Sequence, residues 1–271
     1  MIKNLSAGSP KELSFEENSA TLAVSMTHPI GSPPGTPPGS PLVRNRPRVA
    51  LTRNLRHPTE YVQMLNGEYS RWAFNEERAP LMKSKWREEF GVSYGHPLDL
   101  EIGTGNGYFF AYLANTNPSR ALVGIELKFK PLIQSIRRAV RGGAENARII
   151  RYNAIRLDDL FSSAELNNVY IHHPDPWLKK RQWKNRLIQE GFLVELHRLM
   201  RPGTFVDFKT DSREYFEWAV PLFNSSPFTL ERETWDLHKS EWQGANFVTH
   251  FESIFLKKGQ PIHYARLTKA E

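Results

Sequence analysis

From residue 97 onward, short apolar runs alternate with longer amphipathic ones. Residues 97–102 (PLDLEI) read as a strand that runs into a glycine-rich turn, and an apolar helix starts over 108–113. Residues 121–126 (ALVGIE) read as a second strand. Residues 128–141 have helical spacing, with Leu132, Ile133, Ile136 and Val140 on one face. Residues 147–152 and 168–172 read as a third and a fourth strand. A second long amphipathic helix is predicted over 185–200, ended by Pro202-Gly203, and a fifth strand over 204–210. After Pro221 the pattern changes. Residues 229–235, 248–255 and 262–267 read as extended segments with no long helix between them. Strands alternating with helices imply the α/β class, a doubly wound and mostly parallel sheet covered on both faces, here with an antiparallel carboxyl-terminal edge. Ligands of such sheets sit at the carboxyl ends of the strands. Gly103 to Gly107, Glu126, Asn153, Asp175 and Asp211 each follow a predicted strand.

Composition changes this picture at the amino-terminal end. Residues 31–41 read GSPPGTPPGSP, and little before them shows apolar periodicity. Such a segment buries too little apolar surface to offset its ordering entropy. Residues 1–43 are therefore expected to form a disordered tail, and 44–271 one domain. The chain has no cysteine, which excludes disulfides, cysteine-ligated zinc and thiol catalysis. No apolar stretch has the length of a signal peptide or of a membrane span. A soluble cytoplasmic protein is expected, monomer or homodimer, with no membrane partner.

The formal charge of +7 favours polyanionic partners. Its distribution adds more. Arg44, Arg46, Arg48, Arg53 and Arg56 crowd one stretch. Lys179, Lys180, Arg181, Lys184 and Arg186 crowd another, flanked by Trp177 and Trp183 with no acid among them. Basic residues interleaved with tryptophan point to nucleic-acid contact, against the plainer reading of a solvated face.

The candidate chemistry begins at Glu101-Ile-Gly-Thr-Gly-Asn-Gly107. Gly103, Gly105 and Gly107 let the backbone turn sharply and approach a ligand closely. The spacing is G-x-G-x-G rather than the G-x-G-x-x-G of dinucleotide sites. Glu126 ends the second strand ~20 residues on, where an acid accepts from ribose hydroxyls. Together they fit an adenosine-bearing ligand. An acid at Glu101 would attract a cationic ligand and repel a pyrophosphate, which disfavours a nicotinamide cofactor. Its alternative is an orienting group behind the ligand. In His172-His-Pro-Asp-Pro-Trp177, two prolines of fixed φ hold Asp175 at the end of the fourth strand.

The run PDPWLKKRQWKNRL resembles the signature of the bacterial tRNA (guanine-N7-)-methyltransferase family, usually [FN]-x-D-P-W-x-K-x-R-H-x-K-R-R. The resemblance extends from about Arg48 to Leu267. It includes EIGTGNG, GIEL, Phe208-Lys-Thr-Asp211, Asp236-Leu-His, Thr249-His-Phe-Glu252 and Gly259-Gln-Pro-Ile262. It implies a Rossmann-like methyltransferase sheet, S-adenosylmethionine as cofactor, tRNA as partner and the variable-loop guanosine as target. It further implies that Glu101, Glu126, Asn153 and Asp175 contact the cofactor. Asp175 is then the catalytic residue, and Lys179, Asp211, Thr249, His250, Phe251 and Glu252 bind substrate. Asp211 and Glu252 could instead serve only as turn or helix caps, and Trp177 stacks on the base or packs the core.

Departures from the pattern matter. Asn153 replaces the usual Asp, but its carbonyl accepts the same hydrogen bond from an adenine amino group. His172, His173 and Pro174 precede Asp-Pro-Trp, and Gln182 and Asn185 replace a His and a basic residue. Adjacent histidines suggest zinc, but no third ligand matches, so no metal is expected. An imidazole could instead contact the target base. The rival readings are a tRNA-binding paralogue with impaired catalysis and a methyltransferase of another substrate.

Overall fold

The computed structural model describes residues 56–271, all within one compact unit, Pro47–Glu271. The expected tail, 1–43, and four arginines of the first basic cluster (Arg44, Arg46, Arg48 and Arg53) lie outside the described residues.

In chain order the elements are α1 (Thr59–Asn66), β1 (Ala73–Phe74), α2 (Trp86–Glu89), β2 (Leu98–Ile102), α3 (Tyr108–Thr116), β3 (Ala121–Ile125), α4 (Phe129–Arg141) and β4 (Ala147–Ile150). Then follow β5 (Val169–His172), α5 (Glu190–Leu199), β6 (Thr204–Thr210), α6 (Arg213–Asn224), β7 (Thr229–Thr234), α7 (His250–Lys257) and β8 (His263–Lys269). The sheet order is β1-β4-β3-β2-β5-β6-β8-β7. Strands β1 to β6 are parallel, and β8 pairs antiparallel with both β6 and β7.

Strands β2, β3 and β4 are buried at every position, as near-continuous apolar runs under helices on both faces require. The two faces form separate cores. One packs α1, α3 and α4 through Leu65, Phe110, Leu132, Ile133 and Ile136 onto Leu122, Ala147 and Ile149. The other packs α5 and α6 through Leu193, Leu196, Phe216 and Phe223 onto Leu100, Val123, Ile171 and Phe208. The predicted stripe of α4 is the buried one, with Val140 half-buried at its margin. At the antiparallel edge, Asp207 fixes register by taking both Arg266 guanidinium donors (2.7 and 2.8 Å) and the Tyr264 hydroxyl (2.8 Å).

Three elements differ from the sequence expectation. Residues 248–255 are not a strand. They enter α7, which Thr249 and Glu252 start as a reciprocal capping box. The helix expected over 185–200 begins only at Glu190, preceded by a 3₁₀ turn, Lys180–Asn185. Tertiary contacts hold the residues between them extended: Arg186 is buried, and the Ile188 N–H donates to the Tyr215 hydroxyl (3.0 Å). The third difference is β1, two residues long, which extends the parallel sheet beyond β4.

Candidate active site

The glycine-rich loop joins β2 to α3. Gly103, Gly105 and Gly107 have φ of 79°, 52° and 77°, the left-handed region that favours glycine. At Gly107 the requirement is double, because a Cβ there would stand 2.2 Å from the Ser135 Cα of α4. Ser135 ties the loop down, its hydroxyl donating to the Gly105 carbonyl (2.9 Å) and bonding the Thr104 hydroxyl (2.9 Å). Glu126, just past β3, accepts from the Gly105 N–H and the Lys128 N–H, each at 3.0 Å. Each oxygen keeps a lone pair for a ligand hydroxyl. Asn153 caps the turn after β4 by accepting from the Ile155 N–H (3.1 Å).

Glu101 lies on β2 directly below this loop, 3% exposed. Its Oε2 has no partner among the described residues. Burial, reinforced by Glu126 and opposed by Lys209, pushes its pKa up to about 8. A buried acceptor without a donor is costly unless a ligand supplies one. A cationic group beside Glu101 would meet that need.

The turn after β5 carries the second group of residues. His173 (φ 50°) and Trp177 (φ 45°) bracket Asp175 in left-handed conformations that non-glycine residues rarely adopt, a form of strain that clusters at functional sites. The His173 Nδ1 bonds the Asp211 carboxylate (3.0 Å), joining this turn to the end of β6. His172 is enclosed, its ring 4.4 Å from Phe109, and burial holds its pKa well below the usual histidine range. Both His172 nitrogens and the His173 Nε2 have no hydrogen-bond partner among the described residues. Asp175 itself is exposed.

The second basic cluster divides. Lys179, Lys180, Arg181 and Lys184 are exposed. Arg186 is 1% exposed and belongs to the interior. Its Nε donates to the Pro176 carbonyl (2.8 Å) and Nη2 to Glu214 (2.9 Å), with the guanidinium among Trp183, Tyr215 and Trp218. Five clustered positive charges suggested one nucleic-acid surface; one of them instead fastens the Asp175 turn to α6.

The third group crosses over from α7. Thr249 is buried, while His250 and Phe251 are exposed. His250 stacks on Tyr108 (5.6 Å), Phe247 on Tyr112 (4.3 Å), and Phe251 lies against Gly105 of the loop. Glu252 is fully buried and accepts from Lys209 (3.3 Å), Asn246 and the Thr249 N–H (3.2 Å), and bonds His238 Nε2 (2.7 Å). Burial raises its pKa, but Lys209 and these hydrogen bonds outweigh that and hold it below the usual carboxylate range. Lys209 also donates to the Phe247 carbonyl (3.2 Å). Among the described residues no three His, Asp or Glu side chains converge to hold a metal ion.

A family model described as "Putative methyltransferase" matches residues 95–265, a span containing every site residue above. The tRNA (guanine-N(7)-)-methyltransferase of Bdellovibrio bacteriovorus is 52% identical over 206 residues, 76% of this chain and 99% of that one. The chain belongs to the tRNA (guanine-N7-)-methyltransferase family. The Bacillus subtilis member is 35% identical over 68% of this chain and 85% of its own length. The 16S rRNA methyltransferase KamB shares the fold at 16% identity, with a TM-score of 0.50 over 73% of this chain and 95% of that one.

The structure gathers the residues singled out in the sequence at one end of the sheet: the loop and Glu101 on β2, Glu126 after β3, Asn153 after β4, Asp175 after β5 and Asp211 after β6. Sequence reasoning gave no role to Lys209, Asn246 and His238, which hold α7 against β6, or to Arg186 in the interior. Lys209 and His238 stood inside the quoted Phe208-Lys-Thr-Asp211 and Asp236-Leu-His, but what they hold depends on pairing such as Lys209 opposite His172, which is not readable from sequence.

Proposed function

We propose that this chain transfers the methyl group of S-adenosylmethionine to N7 of the variable-loop guanosine of tRNA, in the cytoplasm. One juxtaposition carries the reading. A buried carboxyl group whose Oε2 has no partner among the described residues, Glu101, and an exposed carboxylate on a strained turn, Asp175, stand at the carboxyl ends of the paired strands β2 and β5. Family membership supplies the substrate class.

The donor, when bound, supplies an electrophilic methyl group on a cationic sulfur. Gly103, Gly105 and Gly107 admit it close to the backbone, and Glu101 holds its positive charge. Glu126 accepts from its ribose hydroxyls, and the Asn153 carbonyl accepts from its adenine amino group. Guanine N7 already has a free lone pair, so no proton leaves before attack and no strong base is needed. Alignment of the reactants is the main requirement, and alignment contributes several kcal/mol. The guanine gains positive charge as the methyl arrives. Asp175 offsets that charge and orients the base. Lys179, Asp211 and the Thr249–Glu252 segment hold the substrate: Lys179 takes phosphate or the guanine O6, while buried Thr249 and Glu252 keep His250 and Phe251 over the loop. The base reaches the pocket only unstacked, as splayed loop bases allow.

A tRNA transcript whose variable-loop guanosine is replaced by adenosine tests the target. The proposal expects methyl uptake on the parent transcript and background on the replaced one. Equal uptake on both would place the methyl elsewhere.

A further inference from the structure

A second concavity opens at the same end of the sheet, over β6, β8 and β7. Asp211, Arg213, Trp235, Gln260, Pro261 and His263 line a space of about 450 Å³. Asp211 follows the last residue of β6, Trp235 follows the last of β7, and His263 is the first of antiparallel β8, so all three come to one rim. Trp235 is 40% exposed. It is nevertheless fixed: edge-on to Phe216 (4.8 Å, 88°) and to His263 (5.4 Å, 67°), with its indole N–H donating to Glu233 (3.2 Å). His263 is held by the Trp235 carbonyl (2.7 Å), and burial lowers its pKa, so the floor is a neutral ring. The Arg213 guanidinium lies over the Trp235 ring, 5.7 Å from its centroid, and among the described residues uses only Nε, on Glu217 (2.9 Å). Asp211 spends one oxygen on His173, and the other has no partner among the described residues.

A fixed, part-exposed indole, a guanidinium over its ring with donors that no described residue takes, an exposed amide at Gln260 and a carboxylate are what a nucleotide needs: an aromatic surface for the base, a cation for the phosphate, polar groups for the base edge. Asp175 is not part of this space. Asp211, tied to His173, marks the border with the Asp175 turn. Neighbouring strands lie about 4.8 Å apart, and Trp235 follows β7, three strands from β5, so the indole stands about 14 Å along the sheet from that turn. That is too far for a base held at Asp175 and suits its neighbour in the chain. We propose that this concavity takes a nucleotide adjacent to the target guanosine, its base on Trp235 and its phosphate on Arg213. The inference rests on the tRNA reading above.

The test uses full-length protein and tRNA transcripts carrying an abasic residue immediately 5′ or 3′ of the target guanosine. Equilibrium binding is measured alongside kcat and KM, for wild type, Trp235→Ala and Trp235→Tyr. One of the two abasic transcripts should bind the wild type about tenfold more weakly. Trp235→Ala should bind intact tRNA about tenfold more weakly and no longer distinguish that abasic transcript. Trp235→Tyr should restore the discrimination. Arg213→Gln should reduce the salt slope of affinity by about one. The proposal is overturned if neither abasic transcript loses affinity, if the two losses multiply, or if Trp235→Ala binds tRNA as the wild type does. That last result would leave the concavity to a protein partner. Absence of N7-methylguanosine from intact tRNA would instead count against the functional reading, and binding would still decide the subsite.

Discussion

Two side chains carry predictions that their residue types alone would not give. Arg186 sits in a basic run, yet its guanidinium is buried and holds the Pro176 carbonyl beside Asp175. Arg186→Met should lower stability by about 2 kcal/mol, because a half-buried carbonyl and the Glu214 carboxylate both lose their donor. It should also lower kcat, while the salt dependence of tRNA affinity stays unchanged. Lys184→Ala should do the reverse, reducing the salt slope by about one with kcat preserved. Denaturant titration and binding at several ionic strengths separate the two. Glu101 carries the second prediction. Its pKa stands at about 8 in the folded chain, above the ordinary carboxylate value, so folding binds a proton. The stability it contributes is present below the ordinary value and is lost as pH rises toward about 8. Glu101→Gln should flatten that loss in melting curves from pH 5 to 9. Donor binding has the opposite sign, since a cation favours the ionised acid. Affinity should rise with pH up to about 8 and then level, and calorimetry on the same variant should find no such rise.

At the scale of elements, legibility followed how local the determinants were. The parallel strands β2 to β6 were readable as short, mostly apolar runs, because β2, β3 and β4 are buried along their whole length and β5 and β6 at most positions that carry apolar side chains. The helix α4 was readable from its own stripe. α7 was misread because Val248, Phe251, Ile254 and Phe255 are few and half of them face solvent, so periodicity gave little. Its real signal was Thr249 with Glu252 three positions on, a capping box that the resemblance had already marked as a substrate motif. Both uses fit one arrangement, in which Glu252 anchors the segment and His250 and Phe251 reach the glycine loop. The anchor is a buried ion pair with Lys209, both side chains at most 5% exposed. Glu252→Ala strands the lysine without its counter-charge and should cost about 3–5 kcal/mol, read from the denaturant midpoint. Thr249→Ala removes only the cap and should cost about 1 kcal/mol.

For the molecule as a whole, the site is what a doubly wound sheet offers when every parallel strand ends on the same side. The sequence reading placed Gly103 to Gly107, Glu126, Asn153, Asp175 and Asp211 at that end because each followed a strand, with Glu101 inside the first strand just before its loop. It could not foresee that Asp211 is tied to His173, that Glu252 is enclosed, or that the antiparallel edge builds a second concavity, since all three depend on non-local pairing. No helix among the described residues is long and apolar enough to cross a membrane. The surplus of positive charge and the exposed Lys179, Lys180, Arg181 and Lys184 suit a polyanionic substrate. The central claim is that Asp175 serves methyl transfer to guanine N7 of tRNA. It is tested by incubating the protein with labelled S-adenosylmethionine and unmodified tRNA, then identifying the product nucleoside by mass spectrometry, with Asp175→Ala in parallel. The account predicts N7-methylguanosine from the wild type, and a loss of at least a hundredfold in turnover with tRNA binding kept in the variant. A different methylated nucleoside, no product despite binding of both ligands, or an Asp175→Ala variant as fast as wild type would contradict it.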